Sequence, residues 1–477
     1  MKLNSIKIEN FRSIKDIEFE NIEIKKSYTN CLLGINESGK SSILKAIDFY
    51  DSKLINYPND FYDNSKSVYV QFDYTIDKKS LDEIIESFEK KFKLPEEIKK
   101  AINIKGVKIR REHSTNGENK LINKFDKALY FENYTFVNNE FRIRNNDAEK
   151  AVNFEELINE IDPDLFWKFS HKIILWRSTT EYLILDSIDL IKFAEKPKEV
   201  SIPLLNCFKL INIEEEDIKS NLNKLNTPNA IYNLQSKLGE AVTKHIKNTW
   251  PEHPINIRFQ IDNQKITFLI EDVNVSHSVK TTEQRSDGFK QFISFLLTVS
   301  IDNLKDELEN TILLIDEPEV HLHPPAQINL LKELIRITSN SKNNIVFFAT
   351  HSNYMIDKVK LNRCISVKKT NNDYTTIQKL IEKSTTYAEV NFEIFEIPTN
   401  DYHNELYGYL EDVNKEKLNA LPKNKVWHNE KYNKDENISL AKYIRHSIHH
   451  PENNSNKIFT DAELKRSINT LRKLKYK

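Results

Sequence analysis

The chain has 477 residues and a net charge of −1, enough length for about three domains with ample core. That charge balance excludes a global field drawing the protein onto nucleic acid or a membrane surface, so any such contact must come from a local patch. Three widely spaced cysteines, Cys31, Cys207 and Cys364, fit a reducing, cytoplasmic setting rather than a disulfide framework, and the longest apolar stretch, residues 292–301, is too short and broken to span a bilayer.

The chain opens directly on strand-like sequence, with no signal-peptide pattern. LNSIKIENF and IEFENIEI each alternate apolar and polar residues and predict a pair of strands. CLLGINESGKSSILKA follows at residues 31–46. Its apolar run ends at Gly34, a loop intervenes, and a helical pattern starts near Lys40. The spacing G-x-x-x-x-G-K-S is that of a phosphate loop. Gly34 and Gly39 allow backbone conformations that a side chain would block. The loop N–H groups then face phosphate, and the helix N-terminus adds its dipole. Lys40 is expected to reach the β- and γ-phosphates of ATP and Ser41 to hold Mg²⁺. Asn36 and Ser42 complete the expected nucleotide-contacting set. The chain has only seven glycines, and Gly34, Gly39 and Gly288 all fall in motifs.

KSVYVQFDYTI predicts a further strand, and residues 1–77 form the first part of a nucleotide-binding domain. From 78 to 249 the pattern changes. KKSLDEIIESFEKKFKL, PEEIKKAI, DIKSNLNKLN and PNAIYNLQSKLGEAVTKHIKNTW read as helices, and ALYFENYTFVNNEFRIRN as a hairpin turning at Asn138-Asn139. This predicts a mostly helical insertion whose charge runs are solvated faces. Residues 250–370 resume the domain. PINIRFQI and KITFLIEDV predict two strands with Asp262-Asn263 at the turn. Ser286-Asp287-Gly288 precedes an apolar-periodic helix, a pattern that a helix cap alone would also explain. In TILLIDEPEVHLHPPAQ a short buried strand ends in Asp316 and Glu317. Asp316 at a strand end can join the Mg²⁺ shell, and Glu317 can orient and deprotonate an attacking water. NIVFFAT ends at His351, on the edge where doubly wound sheets place ligands, so His351 is expected to sense the γ-phosphate.

NFRSIKDIEF, GINESGKSSILKAI, RSDGFKQ, ILLIDEPEVHLHP and ATHS, in that order, resemble the ABC-type ATPases of the SMC, RecF and OLD group. The resemblance covers about half the chain. It implies an α/β fold: an ATPase head with a P-loop parallel or mixed sheet and an antiparallel β lobe, a large helical insertion, and a mostly α-helical C-terminal domain. It implies that Arg12 contacts the nucleotide and that His351 is the switch histidine. It also implies that Ser286 and Gly288 contact the γ-phosphate of ATP held by a second subunit. Asp287 stands between Ser and Gly where LSGGQ is the usual form, and no glutamine loop is assigned. The implied mechanism is an ATP-sandwiched dimer that hydrolysis releases.

Residues 371–477 form the C-terminal domain. A Toprim nuclease needs a D-x-D pair, and none occurs between 360 and 477. SLAKYIRHSIHHPENN predicts a helix stopped by Pro451, and Arg445 to His450 fits R-x₄-H, which resembles the motif of HEPN-type RNA nucleases. A helix end whose Arg and His satisfy the last carbonyls explains it as well. FTDAELKRSINTLRKLKYK predicts a capping box at Thr460 and Glu463 and an apolar face of Leu464, Ile468 and Leu471. The opposite face (Lys465, Arg466, Arg472, Lys473, Lys475, Lys477) is basic and suits nucleic acid or simply solvent. The layout is similar to ATPases of bacterial anti-phage systems such as Septu, in which a separate nuclease is the partner. Three readings follow: an ATPase that dimerises on ATP and governs a nuclease effector subunit; a self-contained RNA nuclease using Arg445 and His450; and a DNA-repair or chromosome ATPase.

Overall fold

The computed structural model describes the chain except residues 53–54, 147, 177–178, 252–253, 276–277, 301–307, 321, 340–341, 381–385, 431 and 477. Two compact units divide it. The first comprises Met1–Asp357 and Asn362–Ile381, the second Lys358–Leu361 and Glu382–Lys477.

The centre of the first unit is a six-stranded sheet in the order Lys172–Trp176, Thr311–Asp316, Ile345–Thr350, Thr29–Leu33, Cys364–Lys369, Thr375–Lys379. Neighbouring strands run parallel except for the last pair. Thr29–Leu33 and Ile345–Thr350 are buried along their whole length, which is why residues 31–33 and 345–349 read as continuous apolar runs rather than alternating ones. A five-stranded antiparallel sheet faces it, ordered Ile14–Glu20, Lys2–Phe11, Val68–Thr75, Gly106–His113, Asn119–Phe125. The helix Lys40–Ser52 lies between the two. Its Ile43, Leu44, Ile47 and Tyr50 share one core with Ile8 and Phe72 of the antiparallel sheet and Ile312 and Phe347 of the parallel one. The start of that helix is thereby pinned from both sides.

Two of these strands lie in the stretch expected to be helical. Gly106–His113 and Asn119–Phe125 extend the antiparallel sheet. Each hides a polar residue at an inward position, which breaks the apolar alternation. Arg111 is buried and donates from Nε to the Tyr50 carbonyl. Asn123 is buried and bonds the Pro163 carbonyl at 2.9 Å. Lys172–Trp176, from the same stretch, forms an edge of the parallel sheet. Helices do fill much of the remainder, the longest being Pro228–Thr249. That helix packs on a smaller antiparallel sheet of Ser187–Asp189, Lys265–Asp272 and Ile255–Asp262. The expected turn between the last two strands shifts by one residue. Asp262 pairs with Lys265, and Asn263 and Gln264 take the left-handed conformation.

In the second unit, helices Tyr387–Phe395, Asn400–Val413, Leu440–His449 and Asp461–Lys475 enclose a core of Tyr402, Leu406, Leu410, Ile444, Leu464, Ile468 and Leu471. The capping box forms: Thr460 Oγ1 accepts from Glu463 N at 3.3 Å and Glu463 Oε2 from Thr460 N at 3.1 Å. A hairpin, Lys425–Asn429 with Lys434–Ile438, was not expected. Among its described residues the buried side chains are Trp427 and Ile438, so it carries no apolar alternation to read.

Candidate functional site

Strand Thr29–Leu33 ends at Gly34, and the loop 34–39 delivers the chain to the helix at Lys40. Both glycines are required by contact. A Cβ on Gly34 would stand 2.3 Å from the Val367 carbonyl oxygen; on Gly39, whose φ is +108°, it would stand 2.2 Å from Thr375 Oγ1. Lys40 is 4% exposed. Its ammonium donates to the carbonyls of Gly34 and Ile35, each at 3.0 Å. Burial pushes its pKa below the ordinary lysine value, against the pull of Glu317, Asp316 and Glu319. Those three acids therefore stand within electrostatic reach of Lys40.

A cavity of about 690 Å³ opens above the loop. Its wall contains Arg12, Asn36, Gly39, Lys40, Ser41, Ser42, Glu317 and His351, all of them expected from the sequence. Gly34 lies beneath, as acceptor to Lys40. Arg12 is held by Asp60, Nε to Oδ1 at 2.5 Å, with its own backbone at φ +51°. Asp316 ends its strand opposite Ala349, exposed and just outside the wall. Glu317 turns sharply, with φ +48°, and donates from its N–H to the Ala349 carbonyl at 3.0 Å. Its Oε1 meets His351 Nε2 at 2.9 Å. The fold thus gathers residues 12, 36–42, 317 and 351 from four separate stretches.

Ser286 and Gly288 are not in this wall. Ser286 is exposed and caps the helix Asp287–Phe295, its Oγ accepting from Phe289 N at 3.3 Å. Asp287 pairs with Lys290 at 2.8 Å. Arg445 and His450 lie in the second unit. Arg445 lies 5.5 Å over the Tyr407 ring. His450 follows the helix end, exposed, with Nδ1 3.3 Å from Glu452.

Several residues of the site escaped the sequence reading. Ser13 and Lys369 line the cavity. Thr375 braces the loop: its Oγ1 donates to the Ser38 carbonyl at 3.1 Å and lies 2.8 Å from Ser13 Oγ. No local signal marks it, because the contact spans more than 300 residues. Glu319 sits inside the DEPE string but had no role assigned. It is buried, and its Oε1 accepts from Thr350 Oγ1 and from His351 N at 3.1 Å.

Comparison with known proteins agrees with this geometry. The family model described as AAA ATPase domain matches residues 1–356. The chain belongs to the AAA ATPase domain family. Within it, the likeness is to the SMC, RecF and OLD group of ABC-type ATPases. The Old nuclease of Escherichia phage P2 is 24% identical over 192 residues, 35% of this chain and 31% of that protein. An uncharacterized protein of Methanocaldococcus jannaschii is 32% identical over 142 residues, 29% of this chain and 36% of that one. Protein ea59 of Escherichia phage lambda is 29% identical over 102 residues, 21% and 18% of the two chains. This AAA ATPase chain thus spans about a third, or less, of the length of these relatives. Among solved structures, an SmcHead bound to the C-winged helix domain of ScpA aligns over 80% of this chain and 98% of its own, at 15% identity and a TM-score of 0.43. Among the described residues of the AAA ATPase chain no helix is long and apolar enough to cross a membrane.

Proposed function

We propose that the cavity binds and hydrolyses ATP, that two copies close on the nucleotide, and that the resulting switch governs a separate nuclease effector in anti-phage defence. One observation carries the ATPase reading: the lysine loop, Glu317 and His351 share a single cavity wall. A second supports the dimer. Ser286 stands exposed at a helix start outside that wall, so it is free to meet phosphate held by another copy.

The residues present suit Mg²⁺, which takes oxygen donors. The Ser41 hydroxyl at the helix start and the Asp316 carboxylate at the strand end would hold it. When bound, the ion neutralises charge on the β- and γ-phosphate oxygens. Lys40 orients the same phosphates. Glu317 takes the proton from the attacking water as its oxygen bonds to the γ-phosphorus and the bond to ADP breaks. A positioned base of this kind contributes about 10²- to 10⁴-fold. His351 holds the Glu317 carboxylate in place by the 2.9 Å contact. Once phosphate leaves, the second copy's Ser286 loses its ligand and the pair opens, so binding energy becomes a conformational switch.

The effector partnership rests on the similarity of layout to two-component defence ATPases. The experiment is Glu317→Gln. It should retain ATP binding, lower turnover about 100-fold or more, and accumulate a dimer by light scattering. Normal turnover in that variant overturns the assignment. Co-expression with neighbouring genes, followed by mass measurement with and without ATP, tests the effector.

A further inference from the structure

We propose that Glu319 is a positioning residue for this hydrolysis: its buried carboxyl clasps the end of strand Ile345–Thr350 to the acidic loop and so fixes His351 against Glu317. The inference rests on the reading of the cavity as an ATPase site and adds a residue to it.

The geometry is specific. Glu317 has φ +48°, a conformation that costs a residue with a long side chain and persists only where its surroundings hold it. Two groups of links tie residues 316–319 to residues 349–351. Backbone to backbone, Glu317 N–H donates to the Ala349 carbonyl at 3.0 Å. Side chain to strand end, Glu319 Oε1 accepts from both the Thr350 hydroxyl and the His351 N–H, the latter at 3.1 Å. The His351 ring then reaches Glu317 Oε1 at 2.9 Å. His351 is therefore held at its backbone by Glu319 and applies its ring to Glu317. Without the clasp, the first residue beyond the strand loses its anchor, and the ring that aims the base is free to swing.

The environment of Glu319 suits a structural acceptor rather than a second base. It is 6% exposed and does not line the cavity. Its Oε2 is buried without a hydrogen-bond partner. Burial raises its pKa, and the nearby Glu317 charge adds to this, while Thr350 and His351 oppose it. Its Oε1 serves both donors, the Thr350 hydroxyl and the His351 N–H. The position thus calls for an acceptor of carboxyl shape, and Gln supplies one.

The test is steady-state ATPase kinetics with fluorescent-nucleotide binding on the full chain. Glu319→Ala should lower kcat about 10- to 100-fold, the scale expected when a catalytic group is misplaced by about an ångström. KM and nucleotide affinity should stay within about threefold, because Lys40 and its loop are untouched. Glu319→Gln should restore most of kcat. If Glu319→Ala does not fold, Thr350→Val provides the same test by removing one donor at constant shape; it should lower kcat several-fold at unchanged affinity. Wild-type kcat in the folded variant, a rise in KM alone, or Gln as damaging as Ala would each overturn the proposal. Glu317→Gln run in parallel separates the two levels. Normal turnover there defeats the ATPase assignment itself. Slow turnover there, with wild-type Glu319→Ala, defeats only the positioning role.

Discussion

Lys40 illustrates how one residue trades folding for function. Its ammonium is buried and its pKa pushed down by that burial, so the folded chain gains little from the charge. Replacing it with Ala should leave the melting temperature unchanged or slightly higher while weakening ATP binding at least about 100-fold, the scale of losing one partner of a desolvated charge pair. Nucleotide titration beside a thermal melt checks both halves, and loss of binding through unfolding would contradict the role. His171 makes the opposite kind of prediction. It is buried, stacks on Tyr74 with ring centroids 5.7 Å apart, and has its pKa lowered by burial from 6.5 to about 4. The N-terminal ammonium contributes to that shift and Asn343 partly offsets it. The unfolded chain therefore takes up this proton first. Stability is full above pH 6.5 and declines as pH falls toward 4, by up to about 3 kcal/mol. In His171→Phe that part of the acid sensitivity should vanish from denaturant melts at pH 7 and pH 5. At this scale the site was largely legible from sequence, because the phosphate loop and the Asp316–Glu317 pair are local spacings that chemistry constrains. Thr375 and Ser13 were not, since only the fold brings Thr375 against Gly39 and Ser13 against Thr375.

Among elements, legibility followed how cleanly a strand sorts polar from apolar. Val68–Thr75 alternates and was predicted; Gly106–His113 and Asn119–Phe125 bury Arg111 and Asn123 and were not. Where a turn needs unusual backbone, the residue type itself is the signal. Asn138 and Asn139 adopt φ +54° and +65° between strands Tyr134–Val137 and Glu140–Ile143, the two left-handed residues of a hairpin turn that favours Asn-Gly. Asn139→Gly should therefore stabilise the hairpin by about 0.5–1 kcal/mol, because Gly meets no Cβ penalty at positive φ. Asn139→Val should destabilise it by more than that, since a branched side chain is strained there. Melting temperatures of the two variants should bracket wild type, and equal values would mean that the turn is not held as described. The hairpin Lys425–Ile438 shows the limit: with two buried side chains, nothing in its pattern separates it from a charged loop.

At the scale of the whole molecule, Ser286 stands apart from the cavity wall within one chain. If each site is completed by a second copy, the two halves can be inactivated on different chains. Lys40→Ala keeps Ser286 but cannot hold ATP. Ser286→Arg keeps the cavity, because Ser286 does not line it, yet presents a bulky cation where phosphate must approach the helix start. Each variant alone should neither dimerise on ATP nor turn it over, while Ser286→Arg should still bind nucleotide. Because neither variant pairs with itself, the pairs in an equimolar mixture are of unlike chains, and each such pair holds one intact site of two. Turnover should therefore return to about half of the wild-type rate per chain. Light scattering should show an ATP-dependent dimer only in the mixture. Activity in Ser286→Arg alone would mean that the site is complete within one protomer. A mixture as inert as its components would mean that the second copy contributes through some other surface.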